Sequence, residues 1–273
     1  MRSLFSRRQK TAKGGAGAEQ QPSEPVPAAA SAQHKTFPSG IRLLHCPENA
    51  TADIVFVHGL TGDREETWTA RHASEPWPQA LLPSELPTAR VLTFGYDAYV
   101  ADWRGVVSQN RVGNHAWNLL TSLASYREKD DTNKRPIIFV CHSLGGLVCQ
   151  DALVKSRERP EPHLQNILRY TRGIAFLGTP HHGAGLARWA ELLSRAIGVV
   201  KQTNAEILAV LRSESEVLAR IQDSFRTMVM ARSREGSGLI DISCLFEELP
   251  LPGVGQVVPQ DSAILPGYIP IGI

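Results

Sequence analysis

An α/β fold, a mostly parallel sheet flanked by helices, is what this chain predicts, and three observations predict it. Short apolar runs recur between residues 41 and 246, each as long as a strand buried on both faces. Segments of helical period separate them, the alternation that produces a parallel sheet. Three of the runs end in loops rich in glycine, serine or histidine, at the carboxyl edge where such sheets place their ligands.

The elements follow in order. Residues 1–39 precede the alternation: Arg2, Arg7, Arg8, Lys10 and Lys13 crowd an acid-free start, and residues 14–32 are mostly Gly, Ala, Pro, Ser and Gln. So little apolar surface cannot offset chain entropy, so this stretch reads as a disordered arm. Its basic, acid-poor start fits a solvated tail or a mitochondrial presequence; it does not fit a secretory signal, because no apolar core follows. Residues 40–273 read as one domain. Strands are expected at 41–45, 52–57, 91–95, 137–141, 173–177 and 239–246, and helices at 77–82, 114–126, 145–155 and 164–170. Three more helical patterns, 186–200, 205–211 and 217–230, fall in an insertion at about 184–235, between the fifth and sixth strands. There Leu186, Trp189, Leu192, Leu193 and Ile197 share a helix face, as either a lid over an acyl chain or packing against the body. Trp68, Trp77, Tyr96, Tyr99 and Trp103 frame an opposite pocket wall or fill the core.

Composition narrows the function classes. The chain's 273 residues suffice for one large domain, and 42% hydrophobic with 21% charged residues is an ordinary globular balance. A net charge of +2 argues against a nucleic-acid surface. Cys46, Cys141, Cys149 and Cys244 show no Cys-x-x-Cys spacing, and Cys141 and Cys244 sit in apolar runs. Buried free thiols in a reducing compartment are therefore expected rather than a disulfide framework. No apolar run approaches the ~20 residues of a membrane span, so no bilayer crossing is expected.

Three motifs carry the chemistry. In Ile137–Leu147 an apolar strand runs into Cys141-His142-Ser143-Leu144-Gly145-Gly146 and then an apolar helix pattern. A sharp strand-to-helix turn of this kind exposes a serine hydroxyl and aims the following amide at a reacting carbonyl. Cys141 occupies a position that needs only a small side chain. Phe56-Val57-His58-Gly59-Leu60-Thr61-Gly62 ends the second strand, either as a plain tight turn or as an oxyanion loop. In the latter case the Leu60 amide is one donor and the Leu144 amide the other. Phe176-Leu177-Gly178-Thr179-Pro180-His181-His182-Gly183 breaks the fifth strand, its histidines serving as loop-formers or as a pocket wall. Adjacent histidines point apart and no third ligand has suitable spacing, so no metal is expected. His58, Gly59, His142, Gly145, Thr179 and His181 are the residues these motifs place around Ser143.

In ordered combination, these motifs resemble the serine esterase and lipase-like branch of the α/β-hydrolases, which includes fungal serine-active-site-containing proteins and glycosylphosphatidylinositol inositol-deacylases. Phe246-Glu247-Glu248-Leu249-Pro250 and Val257-Val258-Pro259 also match, and the likeness covers about residues 40–273. The resemblance implies an α/β-hydrolase fold with a helical cap, lipid or acyl-ester substrates, no metal or organic cofactor, and peripheral association with mitochondrial or endoplasmic-reticulum membranes. Failing those membranes, the expected location is cytoplasmic. Oligomeric state is left open.

The family pattern also asks for an acid after the sixth strand and then a histidine. Glu247 fits the acid; the side chain of its neighbour Glu248 should point the other way, and Asp261 is a weaker alternative in the next loop. All nine histidines, however, occur at or before His182. The chain reaches Ile273 about where the resemblance places the histidine, so an incomplete carboxyl terminus is expected. With no base to deprotonate Ser143, a polypeptide of these residues is expected to be weakly active or inactive as an ester hydrolase. The rival expectation is a noncatalytic interaction or signalling module, since relatives of the domain occur in large fungal proteins with nucleotide-binding and repeat regions.

Overall fold

The computed structural model describes residues 38–59, 62–98, 109–181, 205–236, 238–246, 248, 263–265 and 270–272. Seven strands form one sheet: β1 (Gly40–His45), β2 (Ala52–Val57), β3 (Ala89–Gly95), β4 (Ile137–His142), β5 (Thr171–Leu177), β6 (Asp241–Phe246) and β7 (Pro270–Gly272). Their order is β1-β3-β2-β4-β5-β6-β7, with β1 antiparallel to β3 and every other neighbouring pair parallel. Six α-helices accompany them among the described residues: α1 (Trp77–Ala80), α2 (Leu82–Glu85), α3 (Gln109–Lys129), α4 (Leu144–Glu158), α5 (Pro162–Tyr170) and α6 (Ala205–Arg234).

Topology decides which face each helix covers. The steps β3→β4, β4→β5 and β5→β6 all advance in one direction, so right-handed crossovers put α3, α4, α5 and α6 on one face, where they pack on one another. The step β2→β3 runs backward, and among the described residues it carries a 3₁₀ turn at Glu66–Trp68 and the short helices α1 and α2. The first face is closed over Val55, Phe94, Phe139, Cys141, Phe176 and Cys244, all fully or almost fully buried. On the second face, Ile54, Phe56 and Trp68 are buried near β2, while Ile138 on the central strand is 37% exposed.

Several expectations shift in detail. The helix expected at 77–82 is two four-residue helices, because Pro78 and Pro83 each sit in a first turn and cannot continue a preceding one. The two helices expected at 205–211 and 217–230 are one, since residues 212–216 hold no Gly or Pro to break them. Its buried side chains Leu218, Gln222, Phe225, Met228, Val229 and Arg232 recur every three to four residues. Strand β6 starts two residues later than expected, after Gly238 at φ +91° and an exposed Leu239. The short β7 was not expected from the sequence. The predicted helix at 186–200, Tyr99 and Trp103, and residues 1–37 of the arm lie outside the described residues; Cys141, Cys149 and Cys244 are buried free thiols and Cys46 is an exposed one.

At the amino end of the sheet the fully buried Asp53 of β2 meets three arginines. Arg90 donates to both carboxylate oxygens at 2.8 and 3.0 Å, Arg135 reaches it at 3.2 Å, and Arg127 lies in close contact. Arg90 also holds Asp130 and Thr132, both at 2.9 Å, and Arg127 caps the carbonyls of Asn133 and Arg135 at 3.1 and 2.6 Å.

Candidate active site

The carboxyl end of the sheet carries the opposite kind of structure. Ser143 joins β4 to α4 at φ 51°, ψ −122°, a left-handed conformation that a side chain disfavours. It is the N-cap of α4, yet its hydroxyl makes no capping bond to the helix amides, the usual task of serine there. The hydroxyl is thereby left for other partners at the positive end of a 15-residue helix. Leu144 is the first helical residue, so its amide is among those an α-helix leaves without an internal acceptor.

Three glycines let the flanking loops close on this turn. A Cβ on Gly59 would stand 2.8 Å from the Ser143 Cβ and 3.0 Å from His142 Nδ1. On Gly145 it would strike the carbonyl oxygens of Val57 and His58, and on Gly146 the side chain of Thr179. The motif after β2, the elbow and the Gly-Thr-Pro loop are thus in backbone contact, which no spacing argument revealed.

The histidines have other work. His58 Nδ1 donates to the Gly59 carbonyl at 2.9 Å, so Nε2 is the acceptor, and the Tyr96 amide donates to it at 3.2 Å. The Tyr96 ring stacks on His58 at 4.3 Å and its hydroxyl donates to the His58 carbonyl at 2.8 Å. Burial lowers the His58 pKa to about 4, so the ring is neutral at ordinary pH. His181 meets the Gln150 amide with Nδ1 at 3.2 Å and the Cys244 sulfur with Nε2 at 3.9 Å, its ring against Phe176. His142 alternates away from Cys141 onto the second face, edge-on to Trp68 at 6.4 Å. Its burial depresses its pKa, and Nδ1 has no hydrogen-bond partner. Both nitrogens of His58 and of His181 are therefore engaged by groups other than Ser143.

Of the residues singled out from sequence, Ser143, Leu144, His58, Gly59, His142, Gly145, Thr179 and His181 come together at this edge. Leu60 and Glu247 lie outside the described residues, although β6 ends at Phe246, so Glu247 directly follows it in the chain. Sequence reasoning missed Gln150 and Gln222 and the pairing of Tyr96 with His58. The one available signal for Gln150 was a polar residue inside an otherwise apolar helical run.

A parallel α/β sheet with a strained serine between strand and helix defines the architecture of the α/β-hydrolases. The chain belongs to the alpha/beta hydrolase family, whose sequence profile matches residues 54–254. It is 29% identical over 251 residues to Protein SERAC1 of Bos taurus, covering 84% of this chain and 36% of that protein. It is 28% identical over 258 residues to Protein SERAC1 of Homo sapiens, covering 82% and 38%. The chain thus spans little more than a third of the length of these curated relatives. Among solved structures, it is similar to YbtT, a type II thioesterase of the yersiniabactin biosynthetic pathway, at TM-score 0.39 and 15% identity, covering 86% of this chain and 89% of that one.

Proposed function

We propose that this chain is a serine-hydrolase-type domain for carboxylic esters, with lipid or acyl esters as the substrate class. The observation that carries the reading is Ser143: a left-handed N-cap whose hydroxyl does not cap, held at the positive end of α4. In this reading Ser143 attacks the ester carbonyl, the amides of Leu144 and Leu60 hold the oxyanion, and Glu247 orients the base. The domain is residues 40–273, its cap is the part of about 184–235 that precedes α6, since α6 packs into the main core, and its substrate chemistry suits peripheral contact with a mitochondrial or endoplasmic-reticulum membrane. Among the described residues no helix is long and apolar enough to cross a bilayer.

The base is the weak link. No histidine follows Glu247 in the 273 residues, and His58 and His181 are engaged elsewhere. The loss of a triad base costs on the order of a million-fold in turnover, leaving the residual contribution of oxyanion donors and binding. These engaged histidines also favour a second reading, a noncatalytic interaction module on a hydrolase fold. The test is treatment of the purified 273-residue chain with a fluorophosphonate, beside Ser143→Ala, together with p-nitrophenyl ester turnover. Slow phosphonylation confined to Ser143, with little turnover, is expected. Turnover in the hundreds per second that depends on Ser143 would overturn the impairment, and absence of any Ser143 adduct would favour the interaction module.

A further inference from the structure

We propose that Thr179 is a positioning residue for both the nucleophile and the oxyanion amide of Leu144, and that Gln222 ties α6 to it. This rests on the reading of Ser143 as nucleophile and names what sets its conformation. The φ and ψ of a residue are rotations of the two rigid peptide planes that flank its Cα. The plane before Ser143 is held by its own N–H, which donates to the Leu177 carbonyl at 2.8 Å. The plane after it is held by its carbonyl, which accepts the Gly146 amide of the helix at 3.0 Å and, from outside the helix, the Thr179 hydroxyl at 3.1 Å. Leu177 and Thr179 are two residues apart on one segment, so a single loop grips both planes and over-determines a conformation that would otherwise relax.

The second plane also contains the Leu144 N–H. In a planar trans peptide the N–H faces away from the carbonyl, so a hydroxyl that anchors the Ser143 oxygen aims the Leu144 amide the other way. Thr179 is fully buried against Gly146, so shape and hydrogen bond act together. The loop is itself held: Gly178 donates to the Leu245 carbonyl at 2.8 Å, and buried Gln222 of α6 donates to the Pro180 carbonyl at 2.6 Å. Through Pro180 and Thr179, the long helix reaches the backbone of Ser143.

The experiment compares Thr179→Val, which keeps the shape and loses the donated hydrogen, with Thr179→Ser, which keeps the hydroxyl. Ser143 phosphonylation by a fluorophosphonate is expected to slow about three- to tenfold in Thr179→Val, to return toward wild type in Thr179→Ser, and to fall less in Gln222→Leu. Reaction of Thr179→Val at the wild-type rate, or equal loss in Thr179→Ser, would overturn the proposal. Should wild-type Ser143 take no phosphonate, the nucleophile reading fails, and amide deuterium exchange across residues 141–147 decides the brace. Faster exchange in Thr179→Val than in wild type supports it, and unchanged exchange defeats it.

Discussion

The two ends of the sheet solve opposite problems. At the amino end of β2, a buried carboxylate is surrounded by more guanidinium groups than it needs, and its hydrogen bonds are made in full. At the carboxyl end, Ser143 is strained, its hydroxyl does not cap its helix, and glycines admit backbone where side chains would clash. One end accumulates satisfied interactions and the other departs from local preference. Local rules are expected to fail where a fold holds a reactive group ready, and to be obeyed where it is only held together. Breaking each end separately should therefore change different observables.

The largest effect belongs to the amino end. Among the described residues Asp53 is the one carboxylate that Arg90, Arg127 and Arg135 share, so Asp53→Asn leaves the fully buried Arg127 without a carboxylate while Arg90 keeps Asp130. Such a loss costs about 3–5 kcal/mol. The urea midpoint should drop accordingly, while phosphonylation of Ser143 at low temperature, in protein still folded, should keep its rate. A change in Ser143 reactivity larger than twofold would show that the two ends are coupled.

The next effect is a pH dependence that belongs to the carboxyl end. The folded His58 pKa of about 4 lies below the 6.5 of an exposed histidine. Stability is full above pH 6.5; below it the unfolded chain takes up a proton that the folded chain refuses, so stability falls until the pH passes 4. A shift of that size amounts to about 3 kcal/mol. His142, depressed by burial, acts in the same direction, while Asp151, whose carboxyl burial raises, opposes it at the acid limit. Urea midpoints at pH 7, 6 and 5 should decline, and the decline should flatten in His58→Gln. An undiminished slope in that variant would place the titration elsewhere.

The same contrast explains what could be read from sequence. Strands β2 and β4 were legible because Asp53–Val57 and Ile137–Cys141 are apolar almost throughout, and Ser143 because its motif is local. The ion cluster was not, because Arg90, Arg127 and Arg135 look like any solvated cations until folding brings them to Asp53, up to 82 residues away in sequence. Thr179 stood out as part of a motif, but its task depends on a partner 36 residues earlier. His58 was visible as a loop residue, while its engagement by Tyr96 needed β3 to lie beside β2. Strand β7 escaped because three residues carry too little pattern, with Pro270 among them.

The smallest effect sharpens the comparison most. Gly145 lies in the first turn of α4, where alanine is the better helix former by about 1 kcal/mol. Propensity alone therefore predicts that Gly145→Ala stabilises the protein. Its Cβ, however, would be driven into the carbonyl oxygens of Val57 and His58, backbone atoms that cannot step aside as a flexible side chain can. Overpacking of this kind costs about 1–3 kcal/mol, so the two terms leave a net loss of roughly 0–2 kcal/mol. A modest fall in the urea midpoint is expected, with slower Ser143 phosphonylation because the added carbon pushes the elbow from the loop after β2. At Gly113 of α3, where the nearest atoms are the ends of the Asp151 and Lys155 side chains at 3.9 and 4.0 Å, the same substitution should stabilise. If both glycines respond alike, close backbone approach is not what keeps Gly145 at the elbow.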